Sequence, residues 1–414
     1  MLKKLILVLL TTILFLTGCQ SIKGVNFNQM IINSSKITSE ESSMTASLDL
    51  SYNKAKVQDK DFLKVLDLIN HAKLDIQAKM QNSNTVSLEG NVILQKGKIP
   101  FQMYVDKKEM VLLLDPASKP VRIPMTDQTG DDKWIQDMQA KLLSSVVNDL
   151  PNPKHISVQT KSEKVHGSTV AGYKVHAEVY ANEVPDLLLS LLNNLLKDDK
   201  AISQIVNAMN EINKTTDVGS TMTAAEFKSG LQEFKTQVTQ SLPEMKKTKW
   251  LSAKNSFKTD IFLDRSFNER KSISDLNIAS IDDTSGLTGV RLHLVNETWN
   301  INKPVTATKI RYSSYLKEDA TPEQFLATLD KKQSVLYQIV TSFTRSEPLK
   351  ATQVQVINNK RKADGVTVKG LAKGDMIKIY NASTGGKLLA VKQAAGQLIL
   401  YPYHNLELNQ GKFM

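Results

Sequence analysis

Ser43-Met44-Thr45-Ala46-Ser47-Leu48-Asp49-Leu50-Ser51-Tyr52 alternates apolar and polar side chains without a break. A repeat of two puts Met44, Ala46, Leu48, Leu50 and Tyr52 on one face of a strand and leaves Thr45, Ser47, Asp49 and Ser51 to water. Such a strand needs neighbours of the same kind, and the sequence supplies them. Leu74, Ile76, Ala78 and Met80 form one, and Val86, Leu88, Val92 and Leu94 form the next after an Asn82-Ser83-Asn84 turn. Ile99, Phe101, Met103 and Val105 continue after Lys96-Gly97-Lys98, and Met110 to Leu114 make a more apolar strand before Asp115-Pro116. This reads as an antiparallel meander. A short amphipathic helix interrupts it, with Phe62, Val65, Leu66 and Ile69 at helical spacing between Asp59 and His71.

A meander with one apolar face must cover that face. Between Asp131 and Leu150 the residues Trp134, Ile135, Met138, Leu142, Val146 and Leu150 share one helical stripe, which stops at Pro151. Strands follow over Ile156 to Lys164 and Tyr173 to Tyr180, joined by a turn near His166-Gly167-Ser168. A helical insertion over 183–243 then begins with a helix carrying Leu187, Leu188, Leu189, Leu191, Leu192, Leu195 and Leu196, apolar around much of its circumference. Helices over Ala201 to Lys214 and Ala224 to Leu242 come next, the second opened by a Thr223/Glu226 capping box. Strands return at Phe257 to Leu263, Ser272 to Ile281 and Val290 to Trp299, with Val305 to Tyr312 as a closing strand. The fold class is α+β: about ten or eleven antiparallel strands in one strongly curved, open sheet, wrapping inserted helices. A terminal helix over 318–343, started by Thr321-Pro322-Glu323, ends this domain, which spans 43–345. The boundary falls at Ser346-Glu347-Pro348.

The beginning of the chain sets the compartment. Met1-Leu2-Lys3-Lys4 is followed by an unbroken run from Leu5 to Leu16 with no charged residue, then Thr17, Gly18 and Cys19. Two lysines and a core of about a dozen residues suit an export signal and are too short to span a bilayer. Leu16-Thr17-Gly18-Cys19 resembles the lipobox of bacterial lipoproteins. That resemblance implies removal of 1–18 and a diacylglycerol on Cys19, anchoring an exported protein to the outer face of the cytoplasmic membrane in a Gram-positive-type envelope. Residues 19–42 read as a lipidated tether with at most one short helix. Cys19 is the one cysteine of the chain, so no disulfide is available and burial must supply stability.

The 414 residues are 41% hydrophobic and 23% charged, an ordinary globular composition with room for two or three domains. Formal net charge is +11, of which +9 remains without Lys3 and Lys4. The lysines are spread along the chain, with short clusters at Lys246-Lys247-Lys249 and Lys360-Arg361-Lys362. This reads as a solvated surface, with attraction to anionic headgroups or wall polymer as the alternative. Export argues against nucleic acid as a partner, and no basic strand interleaved with aromatics is present.

A lipobox followed by an antiparallel meander with helices inserted between its halves resembles lipoproteins of the LolA, LolB and LppX type, over about Ser43 to Ser314. That resemblance implies a curved, incompletely closed sheet around helices and an apolar cavity for acyl chains. The insertion is larger than a plain member of that class needs. Over 349–414 the strands are short: Val354 to Asn358, Gly365 to Val368, Met376 to Asn381, Lys387 to Val391, Gln397 to Tyr401. The run from Val366 to Tyr380, with Thr384-Gly385-Gly386 after it, resembles the Ig-like β-sandwich repeats of Gram-positive surface proteins, implying an adhesion or spacer module. Pro402 to Met414 does not alternate as a closing strand should, so the sandwich is expected to be incomplete or completed by a neighbour.

No catalytic pattern emerges. His71, His155, His166, His176, His293 and His404 lack metal-ligand spacing, and Asp282-Asp283 with Gly286 lacks the alternating acids of a calcium loop. No nucleophile elbow or phosphate-binding glycine loop exists. The expectation is a non-enzymatic protein without cofactor or metal, binding a lipid or other hydrophobic ligand between sheet and helices. Leu188, Leu191, Leu192 and Leu195, with Trp134, Met138 and Leu142, are the candidate contacts. The alternative is an envelope protein that contacts a partner through its C-terminal module.

Overall fold

The computed structural model describes residues 25–114, 116–125, 142–143, 145–216, 221–279, 285–344, 351–357, 364–371, 376–380, 388–394 and 398–403. Cys19, Trp134 and Met138 lie outside these residues, as do the Ser346-Glu347-Pro348 boundary and His404. The chain divides into two compact units, Met1–Gln338 and Ile339–Met414.

In the first unit the alternating segments become strands. They are β1 (Glu40–Tyr52), β2 (Ala72–Asn82), β3 (Thr85–Leu94), β4 (Gly97–Val105), β5 (Glu109–Leu114), β6 (Val121–Pro124), β7 (His155–Val165), β8 (Ser168–Tyr180), β9 (Ser256–Asp264), β10 (Glu269–Ile278) and β11 (Leu287–Trp299). All eleven form one antiparallel sheet in the order β6-β5-β4-β3-β2-β1-β11-β10-β9-β8-β7, with open edges at β6 and β7. β1 is the hinge of this topology, since Leu48 pairs with both Ala72 and Leu292. Two meanders grow outward from it. Register keeps the period of two in phase across the sheet: Leu74 faces Val92, Leu88 faces Met103, and Leu276 faces Leu292. One side is therefore apolar from edge to edge.

The helices are α1 (Phe27–Ser34), α2 (Lys60–Ile69), α3 (Val184–Leu195), α4 (Asp199–Thr216) and α5 (Ala224–Met245), followed later by α6 (Pro322–Leu326) and α7 (Val335–Thr344). The predicted capping box of α5 is present, with Thr223 N–H donating to Glu226 Oε2 at 2.8 Å and Glu226 N–H to Thr223 Oγ1 at 3.2 Å. Asp59 caps α2 by accepting from Asp61 N and Phe62 N. The main core joins Val25 and Ile31, Val147 and Leu150, Leu191 and Leu195, Ala201 and Ile205 to Val158, Val175, Ile261 and Leu263. Helices thus fill the apolar side over β7, β8 and β9.

Four expectations are corrected. The tether over 19–42 is shorter than its polarity suggests, because Val25 is fully buried, α1 packs into the core, and β1 starts at Glu40. Val305 to Tyr312 is not a closing strand but an irregular strap across the polar side. Its backbone bonds to side chains, Ala307 N–H to Gln81 Oε1 at 3.1 Å and Thr308 N–H to Ser87 Oγ at 2.9 Å, so no ladder forms. The terminal helix over 318–343 is broken, because Asp330 takes the N–H groups of Lys332 and Gln333 on its side chain, and Leu329 forms a bridge with Ala117. Pro402 sits inside a strand, tolerated because β16 (Leu398–Tyr403) pairs only with β13 (Asp364–Lys369) among the described residues.

The second unit contains two small antiparallel sheets. One is β12 (Val354–Ile357), β13 and β16; the other is β14 (Met376–Tyr380) with β15 (Leu388–Gln393). Val366, Val368, Leu371, Ile377 and Ala394 form their shared core.

Candidate functional site

The apolar side of the large sheet is buried unevenly. On β7 to β9 its residues are shielded: Val158 is 3% exposed, Val175 1% and Leu263 0%. Across β10, β11 and β1 to β6 the same face is mostly half-buried, as at Leu276, Leu292, Leu48, Leu74, Val92 and Met103, with Ile99 and Thr298 buried among them. β5 makes the contrast within one strand. Val111 and Leu113, on the polar side of the sheet, are buried with Ala307 and Ile310 of the strap, while Met110, Leu112 and Leu114 on the apolar side are half-buried. On β5, burial is therefore greater on the polar side of the sheet. A half-buried aliphatic row of this kind is an apolar surface that a ligand could cover.

Two features border it. Gly90 lies on this face, where an added Cβ would stand 2.1 Å from the Asp75 carbonyl oxygen and 3.0 Å from the Phe101 ring, so only glycine fits under that ring. Tyr52, at the end of β1 on the same face, bonds through its hydroxyl to Asp67, which positions α2 over that end of the sheet. The hydrogen bonds of Asp67 to Tyr52 and Lys54 hold its carboxyl below the ordinary range.

The candidate contacts fall elsewhere. Leu191 and Leu195 belong to the filled core over β7 to β9, Leu192 is 4% exposed, Leu188 is half-buried, and Leu142 packs against that core from its rim. Leu191, Leu195 and Leu142 thus pack against protein neighbours in that core. The half-buried row was visible in the sequence as alternation, but alternation does not say which stretch of a face is covered.

The polar side carries a charged ladder on β8 and β9. His176 Nδ1 lies 2.8 Å from Asp260 Oδ1 and its Nε2 3.0 Å from Glu178 Oε1. Lys174 closes on Asp260 and Lys258 on Glu178, each at 3.0 Å, and Tyr180 donates to Glu178 at 2.6 Å. Burial alone would lower the His176 pKa, but the bonds to Asp260 and Glu178 outweigh it and raise the value. The Tyr180 hydroxyl first, then Lys258, pull Glu178 down to about 2. Two further His–Asp pairs repeat the motif, His71, in the turn before β2, with Asp49 at 2.5 Å and His293 with Asp275 across β11 and β10 at 2.7 Å. Among the described residues no group of three or more His, Cys, Asp or Glu is placed to hold a metal ion, and no helix is long and apolar enough to cross a membrane. A cleft of about 720 Å³ beside the strap is lined by Gln77, Glu89, Gln102, Lys309 and Arg311, and one of about 440 Å³ between α3 and α5 by Asn193, Lys197, Gln232 and Lys235. The first is mixed in charge, the second has lysines as its only charged lining residues, and neither joins a nucleophile to a base. Compared with known protein families and with curated proteins, the chain matches none.

Proposed function

We propose that this is a lipid-anchored extracytoplasmic lipoprotein, held by Cys19, that binds an acyl chain or similar hydrophobic ligand on the apolar side of a bent sheet. The observation that carries the reading is the change in burial along one face: filled over β7 to β9, and mostly half-buried over β10, β11 and β1 to β6, apart from Ile99 and Thr298. Each methylene moved from water to such a face gains about 0.8 kcal/mol, so on the order of ten methylenes supply at most roughly −8 kcal/mol, the scale of a micromolar complex. A single acyl chain has that reach. The resemblance to the LolA, LolB and LppX type supports the same reading, with the ligand surface shifted from the α3 leucines to the strands.

The test is native mass spectrometry with lipid extraction on protein made without residues 1–18. Retention of stoichiometric hydrophobic ligand, lost on Leu48→Asp or Leu292→Asp, is expected. A ligand-free protein that takes up no fatty acid overturns the reading.

A second reading is an envelope interaction protein that works through an Ig-like C-terminal module. The two small sheets sharing a core over Val366 to Ala394 favour it. Deleting Leu349 to Met414 separates the readings, since ligand binding survives that truncation and envelope association through the module does not.

A further inference from the structure

Trp250 is the most exposed large hydrophobic residue in the described chain, at 51%. It sits at the tip of a short turn, Lys249–Leu251, between α5 and β9. The turn is pinned from below. Asn255 is 4% exposed; its Nδ2 donates to the Trp250 carbonyl at 2.9 Å, and its Oδ1 accepts from Ala279 N at 2.8 Å. The Ala181 N–H donates in turn to the Asn255 carbonyl at 2.9 Å. An indole is therefore held out into water on a braced loop, so binding through it demands little ordering.

The surroundings of the ring are basic. Lys246, Lys247, Lys249 and Lys254 are all exposed. Between Glu244 and Lys254 the only acidic residue is Glu244, paired with Lys247 at 2.7 Å, so the stretch carries four positive charges and one negative. Lys246, Lys249 and Lys254 have no ion pair among the described residues. An amphipathic ring ringed by lysines fits the headgroup layer of an anionic bilayer, where indole prefers the interface and lysines meet negative surface potential.

A second apolar element shares this end of the sheet. β1 ends at Tyr52 and leads into α2, while β9 begins just after Trp250; in the antiparallel order β1-β11-β10-β9 those two ends lie on one rim. Phe62 and Val65 of α2 are exposed there, at 37% and 38%. Asp282 and Asp283, in the connection between β10 and β11, lie outside the described residues. The charge argument therefore rests on the Trp250 tip.

We propose that the Trp250 tip, with Lys246, Lys249 and Lys254, is a docking surface for an anionic lipid bilayer. It orients the anchored protein, and it is independent of whether the apolar face holds a ligand. The test uses the full lipidated protein in vesicles of phosphatidylcholine alone or with about one-third phosphatidylglycerol, compositions that differ in surface potential. Brominated lipids quench tryptophans that reach the interface, and the component lost in Trp250→Phe reports this residue. Expected is at least about twofold stronger quenching of that component with phosphatidylglycerol, abolished by the triple change Lys246→Gln, Lys249→Gln, Lys254→Gln and by molar salt. Ligand retention by Trp250→Phe stays at the wild-type level, which separates this surface from the proposed ligand face. An unquenched Trp250 component, or equal quenching in both vesicles, overturns the proposal. So does a Trp250 emission shift that follows protein concentration, which would mark contact with a second copy.

Discussion

His166 lies flat on Trp299, ring centroids 3.7 Å apart and planes within 1°, although two strands, β9 and β10, lie between β8 and β11. The contact exists because the β7–β8 hairpin outruns β9, whose pairing with β8 stops at Asp264 and Gly172. Its turn, with His166 at φ 46° and Gly167 at φ 78°, is left-handed at both central positions, the twist that tight hairpins prefer. Trp299 also donates from Nε1 to Glu41 Oε2 at 3.1 Å, and Glu297 accepts the His166 N–H at 3.0 Å. Trp299→Ala removes a stacked pair, a hydrogen bond and a half-buried ring, and is expected to cost about 2–3 kcal/mol in chemical denaturation. A loss under about 0.5 kcal/mol would mean that the hairpin tip does not hold the sheet.

The His176 ladder makes stability depend on pH in two directions. His176 titrates higher folded than unfolded, so its contribution is complete below the unfolded value near 6.5 and is lost as pH rises through the folded value. Glu178 titrates lower folded than unfolded, so its contribution is present above about 4.5 and lost as pH falls toward about 2. The ladder contributes most between roughly pH 5 and 6.5. Since the His176 side chain is 41% exposed, solvent screening keeps the effect small, about 1–2 °C in Tm between pH 6 and 8. His176→Gln should flatten that segment of the Tm profile, and an unchanged slope would show that the ladder does not set it.

Much of the first unit was legible because a period of two is hard to mimic. The strands of both meanders, the capping box at Thr223 and the Leu187 to Leu196 helix all follow from local pattern. What was not legible depends on long-range contact. β6 is four residues long and ends in Pro124, too short for alternation to register. The strap over 303–316 has no period, and its Ala307 and Thr308 N–H groups go to the side chains of Gln81 and Ser87, more than two hundred positions away. Which leucines remain available to a ligand was equally hidden. Leu191 and Leu74 look alike in sequence, and only the helices packed over β7 to β9 divide them.

Asn255 ties three segments together, and its removal tests the pedestal beneath Trp250. Asn255→Ala leaves the Ala279 N–H and Trp250 carbonyl without their side-chain partner at a position 4% exposed. The expected cost is about 2–3 kcal/mol, against nearly none for Trp250→Phe at the exposed tip. Denaturant unfolding of both variants checks this. Equal stability of Asn255→Ala and the wild type would show that the loop is not braced.

The two sets of leucines should respond in opposite ways. Leu191 is 0% exposed among Val158, Val175 and Ile261, so Leu191→Ala opens a cavity and costs about 3–5 kcal/mol while leaving any bound ligand in place in the protein that still folds. Leu112 and Leu292 are half-buried on the open stretch of the same face. Truncating either to alanine removes fewer contacts and is expected to cost roughly 1 kcal/mol in ligand-free protein. Those two substitutions should instead weaken fatty-acid binding several-fold, because the methylenes they remove are the ones a ligand would cover. Measured together, unfolding free energy and fatty-acid affinity separate a surface kept open for a ligand from one that is merely loosely packed. If Leu112→Ala and Leu292→Ala leave affinity unchanged, the strands are not the binding surface.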